Sequence, residues 1–186
     1  MKILIWLLAI ICILTLLLYF VVGPIMKNVT KKHSPEQTVE YRTNNLTLST
    51  TYSSPSKKGR IIFGKLVPYN QVWRTGANEA TTFSTNKNLL IDGELLPAGV
   101  YTLWTIPGEK TWKVIFNKKQ YEWGVTIVGQ KPSRKPEHDA LITEVTTVQN
   151  FAPAENFTIK FVETQLGVTM IFSWDKVAVP VSITVI

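Results

Sequence analysis

Between Lys2 and Lys27 the chain carries no charged side chain: "ILIWLLAIICILTLLLYFVVGPIM" runs from Ile3 to Met26. A helix that is apolar all round has no polar face to offer water, so the run is assigned to a lipid bilayer. About 20 residues at 1.5 Å each match the ~30 Å hydrocarbon core. A secretory signal has a shorter apolar stretch, roughly 7–15 residues, ending at a small-x-small cleavage site. Here Phe20, Val21 and Val22 precede Gly23, and they are too bulky for one. A lipid-modified Cys12 would need a small residue before it, where Ile11 stands. The span is therefore read as a retained anchor, with residues 3–26 contacting the bilayer.

Flanking charge orients such a span only weakly. Lys2 and the α-amino group precede it, and Lys27, Lys31 and Lys32 follow it, which leans toward a cytoplasmic domain. Long domains nonetheless cross largely regardless of charge. Residues 27–45 are polar and aperiodic and read as a tether. About 140 residues remain, 46–186, enough for one domain that buries about two-thirds of its unfolded surface.

Cysteine and histidine exclude much chemistry by their scarcity. The one cysteine is Cys12, inside the span, and the two histidines are His33 and His138. No disulfide, thiol nucleophile or thiolate metal site is available beyond the span, and a zinc site of several His or Cys ligands cannot be assembled. No acidic calcium loop is present, no glycine-rich phosphate loop follows a strand, and no cofactor is expected. With Lys2 set aside, 19 Lys and Arg face 13 Asp and Glu, a surplus of six. That balance suits an anionic membrane surface or an acidic ligand, and otherwise reads as a well-solvated basic surface.

After the span, helical periodicity gives way to short segments rich in Thr, Val, Ile and aromatics, broken by Gly, Pro and Asn. "LTLSTTY" alternates Leu46, Leu48, Thr50 and Tyr52. "RIIFGKL", "ATTFST", "LLIDGELL", "VYTLWTI" and "TWKVIFN" follow, then "ALITEVTTV", "FTIKFV", "VTMIFSW" and "VAVPVSITVI". Asp92-Gly93 is a strong two-residue hairpin signal, and residues 107–110, "PGEK", mark a second hairpin. Nine or ten strands at this spacing predict an all-β, antiparallel sandwich or jelly-roll-like domain. Residues 124–138, with Lys131, Arg134 and Lys135 flanking or between Pro132 and Pro136, read as a mobile basic loop.

The densest cluster of chemically useful side chains is "VPYNQVWRTGANEAT", residues 67–81. Gly76 permits a positive-φ turn ending a strand through Val72-Trp73-Arg74. Arg74, Asn78 and Glu79 then share one corner. One reading is a brace: an Arg74–Glu79 pair, with Trp73 in the core. The other is a binding site for an anionic or polyhydroxyl ligand, where Arg74 holds it, Asn78 and Glu79 orient it, and Tyr69, Trp73 or Trp123 offers a stacking face. Catalysis by a glycosidase needs a second carboxyl at a set separation from Glu79. Asp92, Glu94 and Asp139 are candidates that no pattern pairs with it. His138 beside Asp139 reads as a solvated loop pair, and no serine elbow is present. Nucleic acid is not expected as a partner, and the sequence sets no oligomeric state.

Residues 59–81, "GRIIFGKLVPYNQVWRTGANEAT", resemble the signature of the bacterial domain-of-unknown-function family 2911. Further matches are "LPAGVYTLWTIPGEKTWKVIFNK", "YEWG", "ENFTIKF" and "FSWDKVAVPV". The resemblance departs at residues 125–138, where a shorter link containing Asp is expected. It implies an exported or envelope-associated domain and brings no activity, ligand or catalytic residue with it. On that basis the domain is placed outside the cytoplasm. The preferred reading is a membrane-anchored binding or interaction module. A hydrolase of an envelope polymer with Glu79 as acid/base, and a structural partner in a membrane assembly, stand as alternatives.

Overall fold

The computed structural model describes residues 2–126 and 129–186, in two compact units that divide after His33. The first is helical: α1 (Lys2–Leu17), a π-helical turn (Leu18–Val22) and α2 (Gly23–His33). Its apolar stretch Lys2–Val21 is long enough to cross a membrane. Thr15 sits inside that stretch and donates its hydroxyl to the Ile11 carbonyl, which satisfies a polar group that lipid could not.

Among the described residues the second unit is an antiparallel sandwich of ten strands. They are β1 (Glu36–Arg42), β2 (Thr47–Ser53), β3 (Thr82–Thr85), β4 (Leu89–Ile91), β5 (Glu94–Leu96), β6 (Gly99–Pro107), β7 (Thr111–Asn117), β8 (Asp139–Thr146), β9 (Val148–Thr164) and β10 (Gly167–Val185). One sheet runs β1-β2-β3-β6-β7-β8 and the other β5-β4-β10-β9. The alternation read from sequence sets which face of each strand is buried. Leu48, Thr50 and Tyr52 of β2 point inward, as do Phe157 and Ile159 of β9, while Thr158 and Lys160 face out. Between the sheets Leu48, Phe83, Leu103 and Phe116 meet Ile91, Ile159, Met170, Phe172 and Val181 in one apolar core.

Turn chemistry fixes the registers. Asp92 (φ 47°) and Gly93 (φ 92°) form the tight β4–β5 turn between the paired Ile91 and Glu94, as two positive-φ residues demand. Asp92 also accepts from the Ser182 N–H and the Thr143 hydroxyl, tying the hairpin to both sheets. Pro180 lies where β10 changes partner, from β9 up to Ala178 to β4 from Ile183, so its missing N–H breaks no rung.

Three expectations are corrected. Residues 36–42, read as tether, form strand β1, paired along its length with β2. "RIIFGKL" is a pair of tight turns rather than a strand, because Gly64 takes φ 85° and the Leu66 and Val67 N–H groups turn back to the Ile61 and Ile62 carbonyls. Its apolar content plugs the end of the sandwich, with Ile62 buried and the Phe63 ring against Trp112. The basic loop is pinned at both ends. Ser133 donates to the Trp123 carbonyl, and the Arg134 guanidinium pairs with Asp139, each about one-tenth exposed. Residues 127 and 128 of that loop lie outside the described residues. Asp139 is thus committed to Arg134 and Asn117 rather than to its neighbour His138.

Phe157 is fully buried and touches the rings of Tyr52, Trp73 and Trp174, so it links strand β2, the 67–81 corner and β10. Phe157→Ala is expected to cost about 3–5 kcal/mol, read as a lower urea midpoint with an unchanged slope. A loss under 1 kcal/mol would mean the end of the sandwich repacks around the cavity.

Candidate functional site

The corner at residues 73–81 is built around a single rung of pairing. The Trp73 N–H donates to the Thr105 carbonyl at 2.7 Å, and the Thr105 N–H returns to the Trp73 carbonyl at 3.0 Å. The strand expected through Val72-Trp73-Arg74 is limited to this bridge. The chain leaves it at once, because Thr75 (φ 55°), Gly76 (φ 150°) and Asn78 (φ 55°) take left-handed conformations. A side chain at Gly76 would press on the Ser53 carbonyl at 2.9 Å, so close approach as well as φ selects glycine there. The Thr81 hydroxyl donates to the Thr75 carbonyl at 2.7 Å and closes the turn. Non-glycine residues at positive φ cost of order 1–3 kcal/mol each, and they persist only where surrounding structure imposes them.

Trp73 belongs to the core. Its ring stacks on Trp174 at 6.0 Å, and its indole N–H donates to the Gly76 carbonyl. Arg74 points the other way, and its aliphatic stem lies against Gly124. Burial lowers the Arg74 pKa from its usual value, and the Glu79 charge pulls it back up. Arg74 Nε and Asn78 Nδ2 are buried without a hydrogen-bond partner among the described residues. The Asn78 carbonyl accepts from the Gly124 N–H at 3.2 Å. The 121–124 segment therefore roofs this corner.

Beside the roof opens a cleft of about 240 Å³ lined by Glu36, Thr51, Tyr52, Ser53, Glu79, Ala80, Thr82, Tyr121 and Glu122. Strand register places its floor: Glu36 faces Ser53 across β1–β2, and Thr51 faces Thr82 across β2–β3. Thr51 and Thr82 alternate with the inward-facing Thr50, Tyr52 and Phe83, so the cleft sits on the outer face of the six-stranded sheet. Ala80, Trp104 and Ile115 form a small second core on that face, with Tyr121 packed against it. Glu79 accepts from the Ser53 hydroxyl at 3.2 Å. The Tyr121 hydroxyl lies 3.3 Å from Asn117 Oδ1 and accepts from the Lys135 N–H at 2.9 Å; burial leads the causes that raise its pKa.

The residues singled out in the sequence thus separate. Glu79 lines the cleft, and Arg74 and Asn78 lie at the corner that carries it. Trp73 is in the aromatic core, Tyr69 packs on Gly64, and neither Tyr69 nor Trp123 lines the cleft. Asp92, Glu94 and Asp139 do not line it either, whereas Glu36 and Glu122 do. Tyr121 and Glu122 were within reach of sequence reasoning, since they open the "YEWG" segment that ends in the Arg74-facing glycine. Glu36 had no local signal, because its place depends on pairing with β2. Among the described residues no group of three or more His, Cys, Asp or Glu side chains could hold a metal ion.

A methyl group at Gly124 would run into Arg74 Cδ and lie 2.6 Å from Arg74 Cβ. Gly124→Ala should destabilise the domain by about 1–3 kcal/mol, while Arg74→Ala removes the part of the obstruction beyond Cβ. In a double-mutant cycle the Gly124→Ala penalty should shrink by more than about 0.5 kcal/mol in the Arg74→Ala background. Strict additivity of the two melts would place the strain elsewhere.

No curated protein and no solved structure matches the chain. A family model does match, across residues 34–183, from the start of the sandwich through most of its last strand. The chain belongs to the family described as protein of unknown function, DUF2911.

Proposed function

We propose that this chain is a membrane-anchored envelope protein whose sandwich binds a neutral polyhydroxyl ligand, such as a sugar unit, in the cleft beside Glu79. The observation that supports the reading is the cleft's lining: three glutamates with Ser53, two threonines and Tyr121, and among the described residues no lysine or arginine. Ionised carboxylates only accept hydrogen bonds, and hydroxyls both donate and accept. A ligand rich in hydroxyl groups satisfies such a wall, whereas an anion meets acceptors of its own sign. This favours the polyhydroxyl ligand over the anionic one. Ligand pockets commonly span ~300–1,000 Å³, so the cleft suits one small unit or the end of a chain. Arg74 acts from behind, holding positive charge near Glu79 without reaching the ligand.

The hydrolase reading has one observation in its favour, that Glu36 and Glu122 line the same cleft as Glu79. Both readings meet in one experiment. Neutral oligosaccharides, and the same sugars carrying sulfate or carboxylate groups, are titrated into the full chain in nanodiscs while ligand-detected NMR follows binding and cleavage. Neutral sugars should bind, and Glu79→Gln and Glu122→Gln should each weaken them by about tenfold, or ~1.4 kcal/mol. Tighter binding of the anionic set would overturn the proposal. Turnover that Glu79→Gln abolishes would move the protein to the hydrolase class.

The proposed extracytoplasmic side has its own measurement. An alkaline phosphatase fused after Ile186 should be active in cells. An inactive fusion, together with an active cytoplasm-dependent reporter at the same position, would reverse the placement.

A further inference from the structure

Strand β9 does not pair evenly with β10. Gln149 faces Val177 and Ala154 faces Asp175, so residues 150–153, "NFAP", bulge out opposite Lys176 alone. The bulge has a built base: Asn150 Nδ2 donates to the Asp175 carbonyl at 3.0 Å and to the Val177 carbonyl at 3.2 Å. At its tip Phe151 is fully exposed, at 112% of its reference area. Asp175 also receives Lys57 Nζ at 2.6 Å, which brings the 57–66 turns to the same end of the sandwich. Those turns expose Ile61 and Leu66, at 59% and 45%. Lys58, Arg60 and Lys65 are exposed in the same turns, and Lys176 is exposed opposite the bulge. Within these segments Asp175 is paired with Lys57, and the Glu155 carboxylate accepts from the Lys58 N–H.

We infer that this apex is a membrane-docking surface that inserts Phe151 into the interface of an anionic bilayer while the lysines and Arg60 meet lipid headgroups. Aromatic side chains favour the headgroup level, and basic residues near an anionic leaflet add attraction that decays within a Debye length. An exposed phenylalanine has no stabilising role within the fold, and the exposed cations of these segments match lipid phosphates rather than a dry protein interface. The occupant is at hand, because the apolar stretch that can cross a bilayer ends at Val21 and the first strand begins at Glu36. The inference rests on the anchor of the proposed function, and is independent of the ligand assigned to the cleft.

Ala152 is exposed beside Phe151 and takes a nitroxide label as Ala152→Cys in a Cys12→Ser background of the full chain. The labelled protein is placed in nanodiscs of phosphatidylcholine, with and without phosphatidylglycerol. Collisions of the label with oxygen and with a water-soluble nickel chelate are then compared. In anionic discs the label should be shielded from nickel and open to oxygen. The shielding should be lost in Phe151→Ser, which removes no buried contact, and in molar salt. Lys176→Gln should lower the ratio of docked to free apex by about fivefold at low salt. A label equally open to nickel in both kinds of disc overturns the inference. Dipolar broadening between labels, with equal shielding in detergent, overturns it in favour of a second copy of the chain. If the chain leaves the discs altogether the anchor falls and the apex with it, whereas retention with an unshielded label removes the apex alone.

Discussion

The Trp73 ring is the piece on which the rest of the domain closes. It touches Phe63, Trp112, Phe157 and Trp174, at centroid distances of 6.4, 6.1, 5.0 and 6.0 Å. Trp112 comes from the six-stranded sheet, Phe157 and Trp174 from the four-stranded one, and Phe63 from the turns at the end of the sandwich. Such pairs contribute about 0.5–1.5 kcal/mol each beyond simple burial, so Trp73 fastens both sheets and the plug to one side chain. The backbone rung to Thr105 fixes its height. Everything that follows in the chain inherits that position: the left-handed turn, the half-buried Arg74, and Glu79 at the cleft wall. A site hung on a core aromatic has the rigid support that recognition needs.

Brace and site are then two faces of one corner. Trp73 serves the core, and Gly124 is spent on letting the Arg74 stem lie flat. The guanidinium loses hydration, and its Nε and the Asn78 amide find no partner among the described residues. An unsatisfied buried donor costs about 1–3 kcal/mol, which a corner built for stability alone would avoid by using apolar side chains. What the cost obtains is a fixed positive charge behind a carboxylate-lined cleft. Without it, three acids lining one cleft would repel one another, and under the proposed function they would hold ligand hydroxyls in a poorly defined geometry. In that reading there is a physical reason for the sequence to keep Arg74 beside the cleft rather than in its lining.

How much of this was legible follows from which forces are local. Alternation in "LTLSTTY" and "FTIKFV" and the Asp92-Gly93 turn are local, and each gave the right strand, face and hairpin. Strand β1 was hidden because it lies at a sheet edge, where only Val39 and Tyr41 are partly buried and the rest of "EQTVEYR" is solvent-facing. That i, i+2 pair was its one signal. "RIIFGKL" misled in the opposite sense, since apolar content without alternation fits a plug as well as a strand, and Gly64 decides between them. In the site, Glu79 could be chosen from its neighbours in sequence. Glu122 was within reach through the "YEWG" segment, but Glu36 was not, because it reaches the cleft only through strand pairing with β2.

Charge ends up segregated in a way that composition conceals. The chain is basic overall, yet among the described residues the charged side chains lining the cleft are all acids, and exposed Lys58, Arg60 and Lys65 share the turns of Ile61 and Leu66. Edge strands need protection against pairing with other chains, and β9 is an edge. Pro153 within its bulge already supplies that protection, since it lacks an N–H and interrupts the ladder. Asn150 secures the bulge from beneath. Neither task requires an aromatic ring at the tip, and a serine or aspartate at 151 would serve an edge better by keeping it wet. The phenylalanine is therefore explained by something outside the fold. For a domain following an apolar span, with Lys176 exposed opposite that bulge, a lipid surface meets the requirement with the fewest additional parts.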